Sequence, residues 1–385
     1  MRHFGFLTDA DRARLFYQPP QHFSADDDKD LLAVALGATL YSPGDRPKLA
    51  ADLAKMAARG VISSVVCLED AVADADVRAA EINVIAQLRE FAAMECAEML
   101  LFVRIRVPEQ IPMIVDALGE DSRVLAGFVL PKFTAENGPV SLSLVEQASI
   151  VAGRHLFAMP VLESANIIHA DTRLDTLINV REILNKHREN ILAVRIGATD
   201  FSAAYGLRRA PDLSVYDIRI LADVIADIVN IFGRADETGY VITGPVWEYY
   251  SGAERMFKPR LRESPFVEHA KGALRVEILA TDLDGLIREV VLDKANGLTG
   301  KTVIHPTHVA AVHALSVVTQ EQYGDAVDII ATNSGGGVKS SAYRNKMNES
   351  KPHSAWAARI MTMAHLFGVA RHTTSFVDLL AGGIE

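Results

Sequence analysis

The chain has 385 residues, 49% of them hydrophobic, enough for one large domain with additions or for two to three ordinary ones. Its 39 basic and 49 acidic side chains leave a formal charge of −10, which argues against any general attraction to nucleic acid or an anionic membrane. Two cysteines, Cys67 and Cys96, exclude a disulfide-rich scaffold and a multi-cysteine zinc site.

Residues 1–30 carry charge throughout, including the run Asp26-Asp27-Asp28, and read as an arm or short helix outside the main domain. They hold no continuous apolar stretch of signal-peptide type, and no run elsewhere is long enough to span a membrane, so a cytoplasmic protein is expected. From Leu31 onward, short apolar runs alternate with amphipathic segments, the pattern of parallel β/α units. Eight runs qualify as strands: Ala38–Ser42, Ser64–Leu68, Leu100–Arg106, Gly127–Pro131, His155–Leu162, Ile191–Ile196, Tyr240–Thr243 and Thr302–Ile304. Helices are predicted over Arg46–Arg59, Asp76–Met94 and Leu213–Phe232, the last with Ile218, Leu221, Ala222, Ile225, Ile228 and Val229 on a 3.6-residue period. Eight strands with helices between them give an α/β fold, a (β/α)8 TIM barrel over residues 31–317, followed by a C-terminal lid or helical extension over 318–385. The connection from Trp247 to Lys301 is long, with a basic piece (Arg255, Lys258, Arg260, Arg262) and a helical segment over Val276–Asp293. In the extension, Trp356–Val369 is predicted as an amphipathic helix. Its Gly335-Gly336-Gly337-Val338-Lys339-Ser340 stretch lacks the glycine directly before lysine that a P-loop needs and reads as a hinge.

Catalytic groups of such a barrel sit where the strands end. Glu163 follows the apolar run Phe157–Leu162, and Asp200 follows Ile191–Ile196 across two small residues. Either carboxylate alone reads as a solvated loop residue or a helix cap. Placed one β/α unit apart on neighbouring strands, the two converge as hard oxygen ligands for a Mg²⁺-type cation. The other strands deliver Glu69-Asp70, Arg104 with Arg106, Lys132, and His305. This rim of mixed charge suits an anionic substrate. An arginine in the third strand could equally be held in a salt bridge to Glu69 or Asp70. His305 could cap the helix that follows it, and a His305/His308 metal pair lacks a third ligand. Arg46 and Lys48, at a helix start after the first strand, are either phosphate contacts or solvated residues.

Taken in order, Tyr41-Ser42-Pro43-Gly44-Asp45-Arg46-Pro47, Val66-Cys67-Leu68-Glu69-Asp70-Ala71-Val72, Val103-Arg104-Ile105-Arg106, Leu130-Pro131-Lys132, Leu162-Glu163-Ser164-Ala165, Gly197-Ala198-Thr199-Asp200-Phe201 and Gly300-Lys301-Thr302-Val303-Ile304-His305-Pro306 resemble the motifs of the citrate lyase beta-subunit-like family within the HpcH/HpaI aldolase group. The likeness spans about Ala38 to Val317, and the tail is similar to a divergent carbon–carbon bond lyase subgroup found near stress-response genes. It implies a TIM barrel binding Mg²⁺ through Glu163 and Asp200, with Arg104 on the substrate carboxylate and Glu69, Asp70 and His305 in catalytic support. Arg46, Lys48 and Lys132 are the expected contacts to a CoA thioester. The implied substrate is a 2-oxo acid with an acyl-CoA partner, handled by a homotrimer or hexamer. Two departures stand out. Arg106 occupies the usual Asn position, and Arg344 stands where relatives carry a catalytic Asp supplied by a neighbouring subunit. Two alternatives therefore accompany the lyase expectation: a CoA-independent hydroxy-oxo-acid aldolase, and a catalytically silent binding or scaffold barrel.

Overall fold

A computed structural model describes residues 1–94, 98–250, 283–332 and 337–381. Cys96, the basic piece from Arg255 to Arg262, residues 276–282 of the Val276–Asp293 helix and Gly335-Gly336 lie outside the described residues.

Eight parallel strands form one sheet: β1 (Ala38–Pro43), β2 (Ser63–Cys67), β3 (Leu100–Arg104), β4 (Leu125–Leu130), β5 (Phe157–Leu162), β6 (Val194–Ile196), β7 (Ile242–Thr243) and β8 (Lys301–Val303). Each pairs with its neighbour in sequence, and β8 returns to β1 with Ala38 opposite Lys301. A parallel bridge from Gly244 to Lys301 brings the β7 edge to β8, which closes the ring. All eight predicted strands are present. Their sequences are near-continuous apolar runs because both faces are covered, one by the barrel interior and one by helices. β3 stops at Arg104, two residues earlier than predicted. The Gln110 side chain accepts from the Arg106 amide at 2.6 Å and draws the backbone out of the ladder. At Gly127 in β4, φ is +154°, and a side chain would collide with the Phe157 backbone of β5.

Helices pack around the ring. The Arg219–Phe232 helix buries Leu221, Val224, Ile225, Ile228, Ile231 and Phe232 at i, i+3 and i+4 spacing against the sheet. Beyond β8, the hairpin Val338–Ser340/Met347–Glu349 sits on the Gln320–Ala331 helix. Asn348 and Ser341 donate to Asp325 there, and Lys346 pairs with it at 2.7 Å. The chain start meets the tail: Phe16–Gln18 pairs antiparallel with Val369–Ala370, and His3 stacks on Phe367 at 4.1 Å. Phe4, Leu15 and Phe16 in this opening segment are buried in the common core. Among the described residues, no helix is long and apolar enough to cross a membrane.

A second network joins the Leu283–Ala295 helix to β8. Lys301 is fully buried between Glu289 (2.9 Å) and Asp293 (2.7 Å) of the Leu283–Ala295 helix. Arg209 pairs with the same Glu289 and with Glu248, and Tyr216 donates to Asp293 at 2.8 Å. This network ties the long β7–β8 connection to the sheet.

Candidate active site

The C-terminal ends of the strands surround a cavity of about 460 Å³, lined among others by Tyr41, Asp70, Arg104, Glu163, Arg195 and Asp200. Its centre is Arg104, at the end of β3. The Nη2 atom makes three ion pairs, to Glu69 (2.7 Å), Glu163 (3.1 Å) and Asp70 (3.7 Å). Its Nε is buried with no hydrogen-bond partner. Burial pulls the guanidinium downward, but the charges of Glu163, Tyr41, Cys67 and Glu69 outweigh it and raise its affinity for the proton. The positive charge is permanent.

Glu69 joins two cations, Arg104 and the Lys132 ammonium (2.8 Å), and also accepts from the Asp70 amide at 2.8 Å. Burial would raise its carboxyl, yet the Asp70 hydrogen bond, Arg104 and Lys132 bring it below the ordinary value. Asp70 shifts the other way, raised by burial and by its neighbour Glu69. The adjacent carboxylates are thus driven apart, one firmly ionised and one holding its proton longer.

Glu163 leaves the end of β5 and is 5% exposed. Its Oε1 accepts from the Lys132 backbone amide at 2.8 Å and from Arg104. Lys132 adopts φ +47°, a left-handed conformation that is uncommon for a side-chain-bearing residue and that aims this amide at the carboxylate. Oε2 lies against Gly197, where a Cβ would overlap it. Burial, assisted by the negative charge of Asp200 and opposed by Arg104, raises the Glu163 carboxyl to about 7. Asp200, in the first turn of the Ala198–Ala203 helix, lines the same cavity half-buried.

The structure therefore gathers Glu69, Asp70, Arg104, Lys132, Glu163 and Asp200. It does not gather all the candidates. Arg46 and Lys48 are exposed on the loop after β1 and do not line the cavity; Arg46 pairs with Asp52 at 2.7 Å. His305 stacks flat on Tyr250 (4.9 Å, 3°), and Tyr250 lines the cavity. The His305 Nδ1 faces the Thr307 hydroxyl at 2.8 Å, and burial lowers its basicity. Arg106 turns away from the cavity and clamps the loop after β2, donating to the Leu68, Glu69 and Val72 carbonyls and pairing with Asp74. The charge it adds relative to Asn is spent on that loop. Arg344 lies at φ +56° in the turn of the tail hairpin. Among the described residues, no three His, Cys, Asp or Glu side chains assemble as a metal-binding group, so Glu163 and Asp200 stand as a pair.

One lining residue escapes notice in the sequence. Arg195, from the middle of β6, is 1% exposed and reaches the cavity beside Tyr41 and Thr302. The available signal was a single cation in the otherwise apolar run Ile191–Ile196.

A family model described as C–C bond lyase of the TIM-barrel fold matches residues 30–369. This chain belongs to that family. No curated protein matches the lyase chain by sequence. Solved structures share its fold at low identity. A citrate lyase from Burkholderia xenovorans LB400 aligns with TM-score 0.61 and 14% identity, covering 90% of this chain and 96% of its own. The CitE protein from Mycobacterium tuberculosis, solved with magnesium, acetoacetate and coenzyme A, gives TM-score 0.53 and 20% identity over 86% and 99%. A Haloferax volcanii malate synthase, solved as a pyruvate/acetyl-CoA ternary complex, gives 0.50 and 14% over 86% and 91%.

Proposed function

We propose that this lyase uses a divalent cation, Mg²⁺ by preference, to make or break a carbon–carbon bond beside a 2-oxo acid, with an acyl-CoA thioester as the other fragment. One observation carries the reading: Glu163, Asp200 and Arg104 line a single cavity at the strand ends. The donors suit a hard cation. Both ligands offer carboxylate oxygens, Glu163 Oε2 has no hydrogen-bond partner among the described residues, and Gly197 leaves the space in which that oxygen sits. When bound, Mg²⁺ would act as a Lewis acid toward the oxo-acid oxygens.

The chain's own residues supply the rest. Arg104 is fixed by Glu69, Asp70 and Glu163, so its remaining donors meet a substrate carboxylate without first being ordered. Lys132 steadies Glu69 and keeps it ionised. Burial lowers the basicity of His305, and because its Nδ1 accepts from the Thr307 amide, the ring nitrogen left over carries the hydrogen and can donate it. Arg46 and Lys48, exposed on the loop after β1, would be the contacts to a thioester's phosphates. The likeness to CitE supports Mg²⁺ and CoA, that to the malate synthase supports an acyl-CoA, and the family resemblance supports a cytoplasmic homotrimer or hexamer.

A CoA-independent aldolase is the second reading, favoured by the Arg46–Asp52 ion pair, which occupies one proposed phosphate contact. Turnover of oxaloacetate and pyruvate with and without acetyl-CoA separates the two. Mg²⁺ titration of Glu163→Gln tests their common basis: unchanged metal affinity removes the assignment.

A further inference from the structure

Arg195 differs from Arg104 in one decisive respect. Arg104 is surrounded by carboxylates, whereas no Asp or Glu forms an ion pair with Arg195 among the described residues. Its partners are neutral: the Thr302 hydroxyl accepts at 2.6 Å, Thr39 Oγ1 at 3.5 Å, and Met159 Sδ lies at 3.7 Å. The guanidinium also stands over the Tyr41 ring, 5.4 Å from its centroid. A buried cation without a counter-charge is costly, and a ligand that brings the anion offsets that cost. Arg195, Tyr41 and Thr302 all line the cavity that holds Glu163 and Asp200. Because Thr302 Oγ1 accepts from Arg195, its own O–H is free to donate inward.

We infer that Arg195, with Thr302 and Tyr41, forms a second anion subsite in this cavity, which takes a carboxylate of the substrate distinct from the one at Arg104. The substrate, or the adduct it is cleaved from, is then a dicarboxylic acid. This rests on the lyase reading only for the reaction. The subsite itself is tested by binding.

Succinate and butyrate have the same carbon count and differ by one carboxylate. Thermal-shift titrations of the full chain without added metal should show succinate binding about 10-fold or more tightly than butyrate, because a site built for a charged group rejects the analogue lacking it. Arg195→Met should bring the two acids to within about 2-fold, with butyrate unchanged. The ligand-free variant should also melt a few degrees higher, since an uncompensated buried cation has gone. A purely structural arginine would instead lower the melting temperature. Equal binding of the two acids by the wild type, or a preference that survives Arg195→Met, overturns the inference. Should Arg195→Met not fold, Thr302→Val decides: weaker succinate binding with butyrate unchanged supports the subsite, and no change in either refutes it. A chain that shows the preference but no turnover loses the lyase reading alone. A chain that cleaves oxo acids while ignoring the second carboxylate loses this inference alone.

Discussion

Gly197→Ala tests the site through one added carbon. The Gly197 backbone has φ −94° and ψ 74°, so alanine meets no serious backbone penalty and the effect is steric. Its Cβ would fall within 3.0 Å of Glu163 Oε2 and Cβ, closer than real side chains approach, with Glu163 Cδ at 3.0 Å. Ordinary contact begins near 3.4 Å, so the carboxyl must retreat. It cannot do so and keep both the 2.8 Å bond from the Lys132 amide and the 3.1 Å contact to Arg104. Overpacking of this kind costs about 1–3 kcal/mol, and a weakened hydrogen bond to a charged group about 1.5–3 kcal/mol. The terms overlap, so a net loss of roughly 2–4 kcal/mol is expected. That corresponds to roughly 2–5 °C in melting temperature for a chain of this size. Thermal melts measure the first effect, and Mg²⁺ titration by calorimetry should show at least about a 10-fold loss of affinity for a ligand set displaced in this way. Wild-type values in both assays would show that Glu163 is not held where its bonds to Lys132 and Arg104 place it.

Three further outcomes follow from the same contacts. Glu163 sits at about 7 in the fold against an ordinary 4.5, so the native state holds the proton more tightly and stability falls as pH rises from about 4.5 through 7. Ionising it in the buried site costs on the order of 3 kcal/mol; Glu163→Gln should therefore gain on the wild type between pH 5 and 8 in denaturant melts, and parallel curves would contradict the burial argument. Lys301→Met leaves Glu289 and Asp293 buried with one cation fewer, at a cost of about 3–5 kcal/mol. Asp293 already stands at about 6, raised chiefly by burial, so this variant should lose stability more steeply than the wild type as pH rises above that value; a stable, pH-insensitive Lys301→Met would refute the network's role. Arg106→Ala frees three carbonyls of the loop that carries Glu69 and Asp70. It should cost about 1–3 kcal/mol and raise KM more than it lowers kcat, which steady-state kinetics would show.

The barrel was legible because parallel strands covered on both faces cannot hide their composition: runs such as Leu125–Leu130 and Phe157–Leu162 are apolar from end to end. Their ends were less so. Nothing local in Leu100–Arg106 announces that Gln110, four residues past Arg106, will take the Arg106 amide and finish the strand at Arg104. That two-residue difference decides which arginine enters the cavity, since Arg106 then falls in a loop and bonds its carbonyls. The strand-end carboxylates could be placed from order along the chain alone, because successive β/α units set successive strands side by side. Arg46 and Lys48 could not, since reach from a loop depends on side-chain partners such as Asp52. Arg195 was hidden by its own surroundings, as apolar neighbours on both sides make a strand residue read as core.

The two arginines of the cavity divide its electrostatics. Around Arg104, one lysine and one arginine face Glu69, Asp70, Glu163 and Asp200, so that half carries an excess of negative charge. Glu163 and Asp70 are raised chiefly by burial, and the neighbouring carboxylates Asp200 and Glu69 push in the same direction. Around Arg195 the imbalance is reversed, with one cation and only hydroxyls, a thioether and a ring against it. A ligand that satisfied both halves would bring positive charge to the Glu163 side and negative charge to the Arg195 side. No single small ion can do that. A dication together with an acid long enough to reach Arg195 can, and each would bind more tightly in the presence of the other because each lowers the charge the other must face. Mg²⁺ should therefore strengthen succinate binding to the wild type, and the gain should disappear in Glu163→Gln while the metal-free preference for succinate over butyrate remains.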